Sequence, residues 1–195
     1  LELCTLHLEP TEDIDDIIAT SVFADGAAAV VVKAGPPAAG GMRIEGLASV
    51  IAPDSEDDMA WTIGDTGFDM VLSTGVPNVL REHIADAVDD HLSGLGLSRA
   101  DIETWAIHPG GRSILDRVSE ALDLSADALD DAREVLRAYG NMSSPTILFV
   151  LERILYGGNH ADSAQNDGSD DGGRIFAAAF GPGLTVETGV FSTAG

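Results

Sequence analysis

Lysine is almost absent from this sequence, since Lys33 is the only one among 195 residues. Arginine adds little, because Lys and Arg together number 10 against 33 Asp and Glu, which gives a formal net charge of −23. Binding to nucleic acids or to anionic membranes requires clustered basic side chains that neutralise phosphate groups. The composition therefore excludes a role that depends on such contacts, and we expect neither nucleic acid nor membrane as a partner.

Cysteine is equally scarce, with Cys4 as the single example. An intrachain disulfide framework is excluded, and the composition fits a reducing compartment. Long apolar runs are also missing, because the run at 146–151 stops at Glu152 and Arg153, far short of a membrane span. The chain opens without the basic, apolar and small-residue pattern of a secretion signal. We expect a cytoplasmic, globular protein of about one domain.

The apolar pattern predicts a mixed α/β order with buried layers. Apolar residues at helical spacing, together with caps and breakers, predict helices at 12–21, 77–92, 113–122, 125–139 and 146–155. Short apolar runs bounded by Gly and Pro predict strands at 27–33, 42–51, 104–108, 175–180 and 184–191. The stretches 61–73 and 156–173 are predicted to be irregular. The helix at 146–155 is almost wholly apolar, so we expect it to be buried.

His108 lies at the end of the predicted strand at 104–108 and is followed by Pro109, Gly110 and Gly111. Side chains at the carboxyl end of such a strand project into a crevice where ligands bind. Glycine lets a ligand approach the backbone closely, since it has no side chain. This pattern indicates a catalytic or binding histidine. A histidine that is merely packed at a strand end explains the pattern as well.

Asn141 lies in a tight turn between Gly140 and the apolar helix that begins near Pro145. A buried amide without hydrogen-bond partners costs about 1–3 kcal/mol, so this side chain needs partners. A functional role is one interpretation. The other is that Asn141 only satisfies backbone groups of the turn.

Residues 107–111 (IHPGG), followed by 139–144 (YGNMSS), resemble the paired signature of type III polyketide synthases, the chalcone and stilbene synthase-like enzymes. Further segments of that family are similar to 23–30 (FADGAAAV), 51–55 (IAPDS) and 180–184 (FGPGL). The segments follow one another in the family's order and span nearly the whole chain. His-Pro-Gly-Gly alone would be a weak signal, whereas the ordered set is specific.

The resemblance implies a thiolase-like α/β fold, in which two βαβαββ halves form a layered αβαβα architecture. Residues 1–195 would be the C-terminal domain, with the nucleophile-bearing N-terminal half expected before Leu1. Residues 1–4 and 64–73 resemble the bacterial alkylpyrone and alkylresorcinol branch of the family more than the plant chalcone branch.

The family's reaction implies roles for His108 and Asn141. A cysteine thiolate takes an acyl group from coenzyme A, malonyl-CoA is decarboxylated, and the resulting enolate attacks the acyl thioester. His108 and Asn141 match the positions that donate hydrogen bonds to the thioester oxygen. The cysteine would belong to the N-terminal half, so we expect the isolated chain to be inactive. The resemblance further implies acyl-CoA and malonyl-CoA as substrates, no permanently bound cofactor or metal, and a homodimer.

The same matching assigns residues to a substrate cavity and to coenzyme A. The cavity residues would be Phe23 as a gatekeeper, with Cys4, Thr5, Met70, Phe180 and Ser143. The coenzyme A residues would be Gly110, Gly111, Arg112 and Ser113. Simpler interpretations remain for several of them: a core phenylalanine at Phe23, a hairpin turn at Phe180, a solvated Arg112 and a buried thiol at Cys4. His7 is a further cavity candidate that a surface position explains equally well.

Two other classes of protein compete with this interpretation. A ketoacyl synthase of the fatty-acid type also uses Cys, His and Asn, but the glycines after Pro109 and the Met-Ser-Ser after Asn141 argue against it. The second class is a non-enzymatic or split subunit that binds acyl chains or a partner half.

The excess of acidic residues predicts a salt-dependent stability. At roughly 1 M salt the Debye length falls to about 3 Å, so repulsion between surface carboxylates is screened. A salt-rich cytoplasm is our hypothesis, and an ordinary acidic bacterial protein is the alternative. The thermal unfolding midpoint should rise between low and molar KCl. Chloride is preferred to sulfate, which also strengthens apolar burial. A midpoint that is independent of KCl contradicts the halophilic hypothesis.

Overall fold

The computed structural model describes residues 1–7, 12, 14, 17, 21–36, 40–63, 68–73, 75–157 and 173–193. Most of the helix predicted at 12–21 and most of the irregular stretch predicted at 156–173 lie outside the described residues. All structural statements below concern the described part of the chain.

The described chain contains eight strands and four α-helices. The strands are β1 (Glu2–Leu3), β2 (Asp25–Gly26), β3 (Met42–Ile51), β4 (Met59–Ile63), β5 (Phe68–Leu72), β6 (Thr104–Ile107), β7 (Arg174–Gly181) and β8 (Thr185–Thr193). The α-helices are α1 (Val76–Gly94), α2 (Arg112–Leu122), α3 (Asp130–Tyr139) and α4 (Pro145–Tyr156). Short 3₁₀ turns occupy Cys4–His7, Arg99–Asp101 and Pro182–Leu184. None of the described helices is long and apolar enough to cross a membrane.

The main sheet has the strand order β3-β8-β7-β6. β8 is antiparallel to both β3 and β7, whereas β6 and β7 are parallel. Apart from the hairpin β4–β5, the chain from 42 to 193 follows the order strand, helix, strand, helices, strand, strand. The predicted βαβαββ order is therefore confirmed.

Helix α1 buries one face because its apolar residues recur every four positions. Leu80, Ile84 and Val88 are completely buried, as expected for side chains aligned along one helix stripe. The helix packs against α2 and against β3 and β8. Helices α3 and α4 pack against each other and against β6. The core therefore lies between the sheet and these helices.

Helix α4 is less buried than its composition predicts. Thr146, Val150 and Leu151 are buried, but Ile147, Leu148 and Phe149 are only half-buried. An apolar helix is fully enclosed only when neighbours cover every side of it, and composition does not supply those neighbours. The preceding helix α3 is also shorter than predicted, because it begins at Asp130 and the chain from 126 to 129 forms turns.

The strand predicted at 27–33 is wrong for the described chain. The ladder between β1 and β2 ends at Gly26, and residues 27–33 carry no strand pairing. Val30, Val31 and Val32 are 64%, 95% and 74% exposed. A strand needs a neighbour to bond its N–H and C=O groups, and no described segment provides one. The apolar composition reveals the tendency but not the missing neighbour.

The stretch 61–73, predicted to be irregular, instead contributes to an antiparallel hairpin. β4 pairs with β5 so that Trp61 lies opposite Met70 and Met59 opposite Leu72. Each strand is apolar at four of its five positions, with Thr62 and Asp69 as the polar residues. The strands are short and lack an alternating pattern, so the sequence did not reveal them.

Candidate active site

The ends of three strands bring separate loops to one edge of the sheet. β3 and β7 are both antiparallel to β8, so they run in the same direction as β6. His108 follows β6, and its backbone N–H donates to the Ala178 carbonyl of β7 at 2.8 Å. The Ala52 N–H after β3 donates to the Leu184 carbonyl after β7 at 3.2 Å. The carboxyl edge of such a sheet is where ligands bind in open α/β folds.

His108 is a buried, uncharged histidine. The residue is 8% exposed, and burial lowers the pKa of its imidazole from 6.5 to about 4. A side-chain carbon at Gly110 would lie 3.8 Å from its Nε2, so the ring packs over that glycine. Within the part of the chain that the structure describes, the ring has no hydrogen-bond partner. The neutral ring can therefore offer an N–H to a ligand at neutral pH.

The backbone of Asn141 is held by the segment that precedes residue 25. Its N–H donates to the Val22 carbonyl at 2.7 Å, and its carbonyl accepts from the Ala24 N–H at 2.9 Å. The two segments of the backbone form an isolated parallel bridge between Phe23 and Asn141. Gly140 has a φ of 75°, and a side-chain carbon there would lie 2.9 Å from the Val22 carbonyl oxygen. The close approach of these two backbone segments thus requires glycine at 140.

The hydrogen bonds of the Asn141 side chain fix which way its amide points. Oδ1 accepts from the Ser143 N–H at 2.9 Å, and Nδ2 donates to the Gly110 carbonyl at 3.2 Å. A flipped amide would face an NH₂ group to an N–H and an oxygen to a carbonyl, so both bonds would be lost. The Nδ2 group carries two hydrogens, and only one is used by Gly110. The residue is 5% exposed, so the other hydrogen is a preoriented donor.

Gly110 connects the two side chains. Its carbonyl binds the Asn141 amide, while the His108 ring packs over its Cα. Its own N–H donates to the His108 carbonyl at 3.0 Å. The structure therefore brings His108 and Asn141 together around one glycine, at the carboxyl edge of the sheet. Two neutral N–H donors in this arrangement suit an oxygen atom on which negative charge develops.

Cys4 and Thr5 lie in the 3₁₀ turn that follows β1. Burial raises the pKa of the Cys4 thiol, and the nearby carboxylates of Glu2 and Asp25 raise it further. Such a thiol stays protonated and is a weak nucleophile. Thr5 is exposed, and its N–H and hydroxyl both donate to the Asp25 carboxylate at 2.8 Å. The polar groups of Thr5 are thus already engaged. The side chain of His7, the further candidate, is outside the described residues.

The other predicted cavity residues come from several loops. Phe23 adjoins Asn141 through the backbone bridge and is half-buried. Ser143 has a φ of 58° and supplies the N–H that holds Oδ1 of Asn141. Phe180 is near the end of β7, two residues beyond the residue that binds His108, and is half-buried. Met70 pairs with Trp61 in the hairpin, and its side chain lies outside the described residues.

The residues predicted to contact coenzyme A lie next to this pair of donors. Gly110 and Gly111 form the loop before α2, and Arg112 and Ser113 begin that helix. Both Arg112 and Ser113 are exposed. No side chain caps the first turn of α2, so its N–H groups point toward the loop and solvent.

Two cavities of the described surface lie elsewhere. One of about 320 Å³ is lined by Asp130, Arg133, Glu134, Arg137 and Arg153. The other, of about 220 Å³, is lined by residues of α1, β3 and β8, including His91 and Thr188. The guanidinium groups around the first are already paired with carboxylates. The described residues contain no cluster of three or more His, Cys, Asp or Glu that could hold a metal ion.

Thr146 is a residue of the site that sequence reasoning missed. It is fully buried, and its hydroxyl accepts the Met142 N–H at 2.8 Å, one residue beyond Asn141. Ser144, the N-cap residue of α4, makes no side-chain hydrogen bond to the helix. Ser144 instead donates to the Glu2 carboxylate at 2.7 Å. The sequence shows only a threonine near the start of a largely apolar helix, which does not distinguish this role from that of any other helical threonine.

Comparison with known proteins identifies the family and the fold. The model of the family described as chalcone and stilbene synthases, C-terminal domain, matches residues 44–194. The chain therefore belongs to the chalcone and stilbene synthase family. Its fold is the thiolase-like fold of that family, in the form of type III polyketide synthases.

Particular relatives are identical to the chain at about a third of the aligned positions. It is 36% identical over 190 residues to a 1,3,6,8-tetrahydroxynaphthalene synthase of Streptomyces peucetius subsp. caesius, covering 96% of this chain and 48% of that protein. It is 32% identical over 195 residues to an α-pyrone synthesis polyketide synthase-like protein, Pks18, of Mycobacterium tuberculosis, covering 98% and 48%. The chain thus spans about half the length of these relatives.

Comparison with solved structures supports the same fold. The crystal structure of 1,3,6,8-tetrahydroxynaphthalene synthase from Streptomyces coelicolor A3(2), a bacterial type III polyketide synthase, aligns with a TM-score of 0.84 at 30% identity. It covers 98% of this chain and 52% of that one. The crystal structure of PKS-I from the brown alga Ectocarpus siliculosus aligns with a TM-score of 0.81 at 30% identity, covering 98% of this chain and 51% of that one.

The burial of His108 predicts an unusual titration. Its folded pKa of about 4 lies below the ordinary value of 6.5. The folded chain therefore binds this proton less readily than the unfolded chain, and His108 makes folding less favourable as the pH falls from 6.5 to about 4. Hydrogen exchange at the imidazole C2 position, followed by mass spectrometry, should show no titration of His108 between about pH 5.5 and 8. In urea the same residue should titrate near its ordinary value. A folded-state midpoint near the ordinary value contradicts the buried, neutral assignment.

Proposed function

We propose that this chain is the C-terminal half of an acyltransferase that condenses malonyl-CoA onto an acyl-CoA starter. The observation that carries the proposal is the Asn141 amide. It is fixed as a donor with one hydrogen unused, beside the neutral ring of His108. A developing thioester enolate needs such donors. The catalytic cysteine would come from the N-terminal half, which agrees with the length of the relatives.

His108 and Asn141 would act together in the carbon–carbon bond-forming reaction. The C–C bond to the malonyl carboxylate breaks and releases CO₂, and its electron pair passes into a thioester enolate. The N–H groups of His108 and Asn141 stabilise the negative oxygen of that enolate. The enolate carbon then attacks the acyl-cysteine carbonyl, a new C–C bond forms, and the cysteine thiolate leaves. Because the Asn141 amide does not titrate, it acts only as a donor.

Cys4 is not the nucleophile in this proposal. A reactive cysteine needs a lowered pKa, whereas burial and the carboxylates of Glu2 and Asp25 raise that of Cys4. We assign Cys4, Thr5, Phe23, Ser143, Phe180 and Met70 to the wall of the substrate cavity. The resemblance to the alkylpyrone and alkylresorcinol branch fits a long-chain acyl starter.

Coenzyme A thioesters would be substrates rather than resident cofactors. The exposed start of α2, with Gly110, Gly111, Arg112 and Ser113, would contact the pantetheine arm. The phosphates need cations, yet many arginines of the described chain already pair with carboxylates. Such pairs join Arg99 to Asp89 and Arg153 to Asp131. The N-terminal half would therefore supply the basic residues for the phosphates.

Removal of either donor in the complete enzyme, in which this chain is joined to its N-terminal half, tests the proposal. His108→Ala and Asn141→Ala should each lower the rate of CO₂ release from malonyl-CoA by about 10²–10³-fold, because each removes one donor to the enolate oxygen. His83→Ala, on the half-buried side of α1, is the control and should retain the parent rate.

Decarboxylation at the parent rate by His108→Ala would defeat the catalytic assignment. A complete protein that accepts malonyl carrier protein rather than malonyl-CoA would instead be a fatty-acid-type ketoacyl synthase. A protein that binds acyl chains without releasing CO₂ would be the non-enzymatic subunit.

Exposed apolar residues support a partner half. Val31 and Val32 in the extended segment, and Leu47 and Ile51 on β3, are at least 60% exposed. Neighbouring exposed apolar residues such as Val31 and Val32 form the kind of apolar patch that marks an interaction site. We propose that the N-terminal half covers it, in a cytoplasmic homodimer of the complete enzyme.

The chain produced alone should self-associate, whereas co-production with the N-terminal half should give one discrete species by light scattering. Val31→Asp should reduce the self-association of the isolated chain, because it places a charge in the apolar surface. Ser93→Asp adds the same charge at the exposed end of α1 and should have little effect. An isolated chain that remains a monodisperse monomer contradicts the requirement for a partner half.

A further inference from the structure

The loop that carries Asn141 is tied to the start of α4 by a buried hydroxyl. Thr146 is completely buried, and its Oγ1 accepts the N–H of Met142 at 2.8 Å. Met142 is itself 3% exposed. Water therefore has no ready access to this N–H, and Thr146 is its acceptor within the described chain.

This bond completes a clamp on the peptide group between Asn141 and Met142. The carbonyl of that peptide accepts the Ala24 N–H at 2.9 Å, and its N–H donates to Thr146. The two bonds act at opposite ends of one rigid, planar unit. Without the hydroxyl, the peptide would be held at its oxygen alone and could rotate about the flanking single bonds.

Rotation of this peptide would change the orientation of the Asn141 side chain, because Ser143, the next residue, is hydrogen-bonded to it. The Ser143 N–H holds Oδ1 of Asn141 at 2.9 Å, and Ser143 has a φ of 58°. A serine adopts this left-handed conformation only when its surroundings hold it there. The Ser143 carbonyl accepts the Thr146 N–H at 3.0 Å. Thr146 thus bonds the backbone on both sides of the Met142–Ser143 link, by its hydroxyl and by its own N–H.

We propose that Thr146 is a positioning residue that sets the direction of the Asn141 amide. Its hydroxyl fixes the Met142 peptide, which fixes the Ser143 N–H, which in turn fixes Oδ1 and aims Nδ2. Only the predicted effect of Thr146 on catalysis rests on the proposed function. The orientation of the amide is a structural statement about this chain.

The kinetic test compares Thr146→Val, which keeps the shape and removes the acceptor, with Thr146→Ser, which keeps the hydroxyl. In the complete enzyme, Thr146→Val should lower kcat for CO₂ release from malonyl-CoA by about 10-fold to 100-fold, as expected for a misplaced catalytic group. KM should stay within about twofold of the parent. Thr146→Ser should restore most of kcat. A Thr146→Ser variant as impaired as Thr146→Val overturns the role of the hydroxyl.

A double-variant cycle separates positioning from general damage. In an Asn141→Ala background, Thr146→Val should cause little further loss, because the group that it positions is already gone. The same factor of loss in both backgrounds overturns the proposal.

Hydrogen exchange measured by mass spectrometry on the complete protein supplies a readout that does not depend on activity. Thr146→Val should accelerate exchange in peptides covering 141–143, while Thr146→Ser should leave it near the parent rate. Thr146→Ala replaces Thr146→Val if the latter does not fold. Unchanged exchange overturns the positioning role whatever the kinetics. A parent protein that releases no CO₂, together with the expected exchange difference, defeats the proposed function and leaves the positioning role standing.

Discussion

The direction of the Asn141 carboxamide is the constraint on which the candidate site depends. One distant and one neighbouring partner fix it: the Gly110 carbonyl takes one hydrogen of Nδ2, while the Ser143 N–H holds Oδ1. Val22 and Ala24 hold the backbone of Asn141 on its other side. Because every one of these bonds is made before a ligand arrives, little reorganisation is needed when charge develops on a bound oxygen. His108 adds a second donor that burial keeps neutral.

The site crosses the boundary of the matched domain. The family match covers residues 44–194, yet the segment 22–24 forms the parallel bridge to Asn141. Gly26 also lies so close to Met142 that a side-chain carbon there would meet its sulfur at 2.6 Å. The segment before the matched domain is therefore part of the wall that holds the asparagine loop. A C-terminal domain cut at residue 44 would lose two of the backbone bonds that orient Asn141.

Features that depend on neighbouring residues were predicted from the sequence, whereas features that depend on contacts with other segments were not. The strand at 42–51 was predicted with its observed limits, and the helix at 77–92 within two residues, because alternation and capping are written in neighbouring residues. The sequence also placed His108 at a strand end. The strand predicted at 27–33 is not formed, because a strand requires a neighbouring strand that composition does not supply. Sequence reasoning missed Thr146, because a hydroxyl that serves the backbone four residues earlier looks like any threonine in a helix.

The charge and the exposed apolar residues both fit the proposal that functions are divided between this chain and an N-terminal half. The chain carries a net charge of −23, and its arginines are widely paired with carboxylates, as in Arg133–Asp116 and Arg137–Glu134. Little positive charge remains to bind a polyanionic substrate. At the same time, Val31 is 95% exposed within an extended apolar segment. Under the proposed function, this chain would offer neutral donors to a coenzyme A thioester. The adjoining half would then supply the nucleophile, the phosphate-binding cations and the cover for the apolar segment.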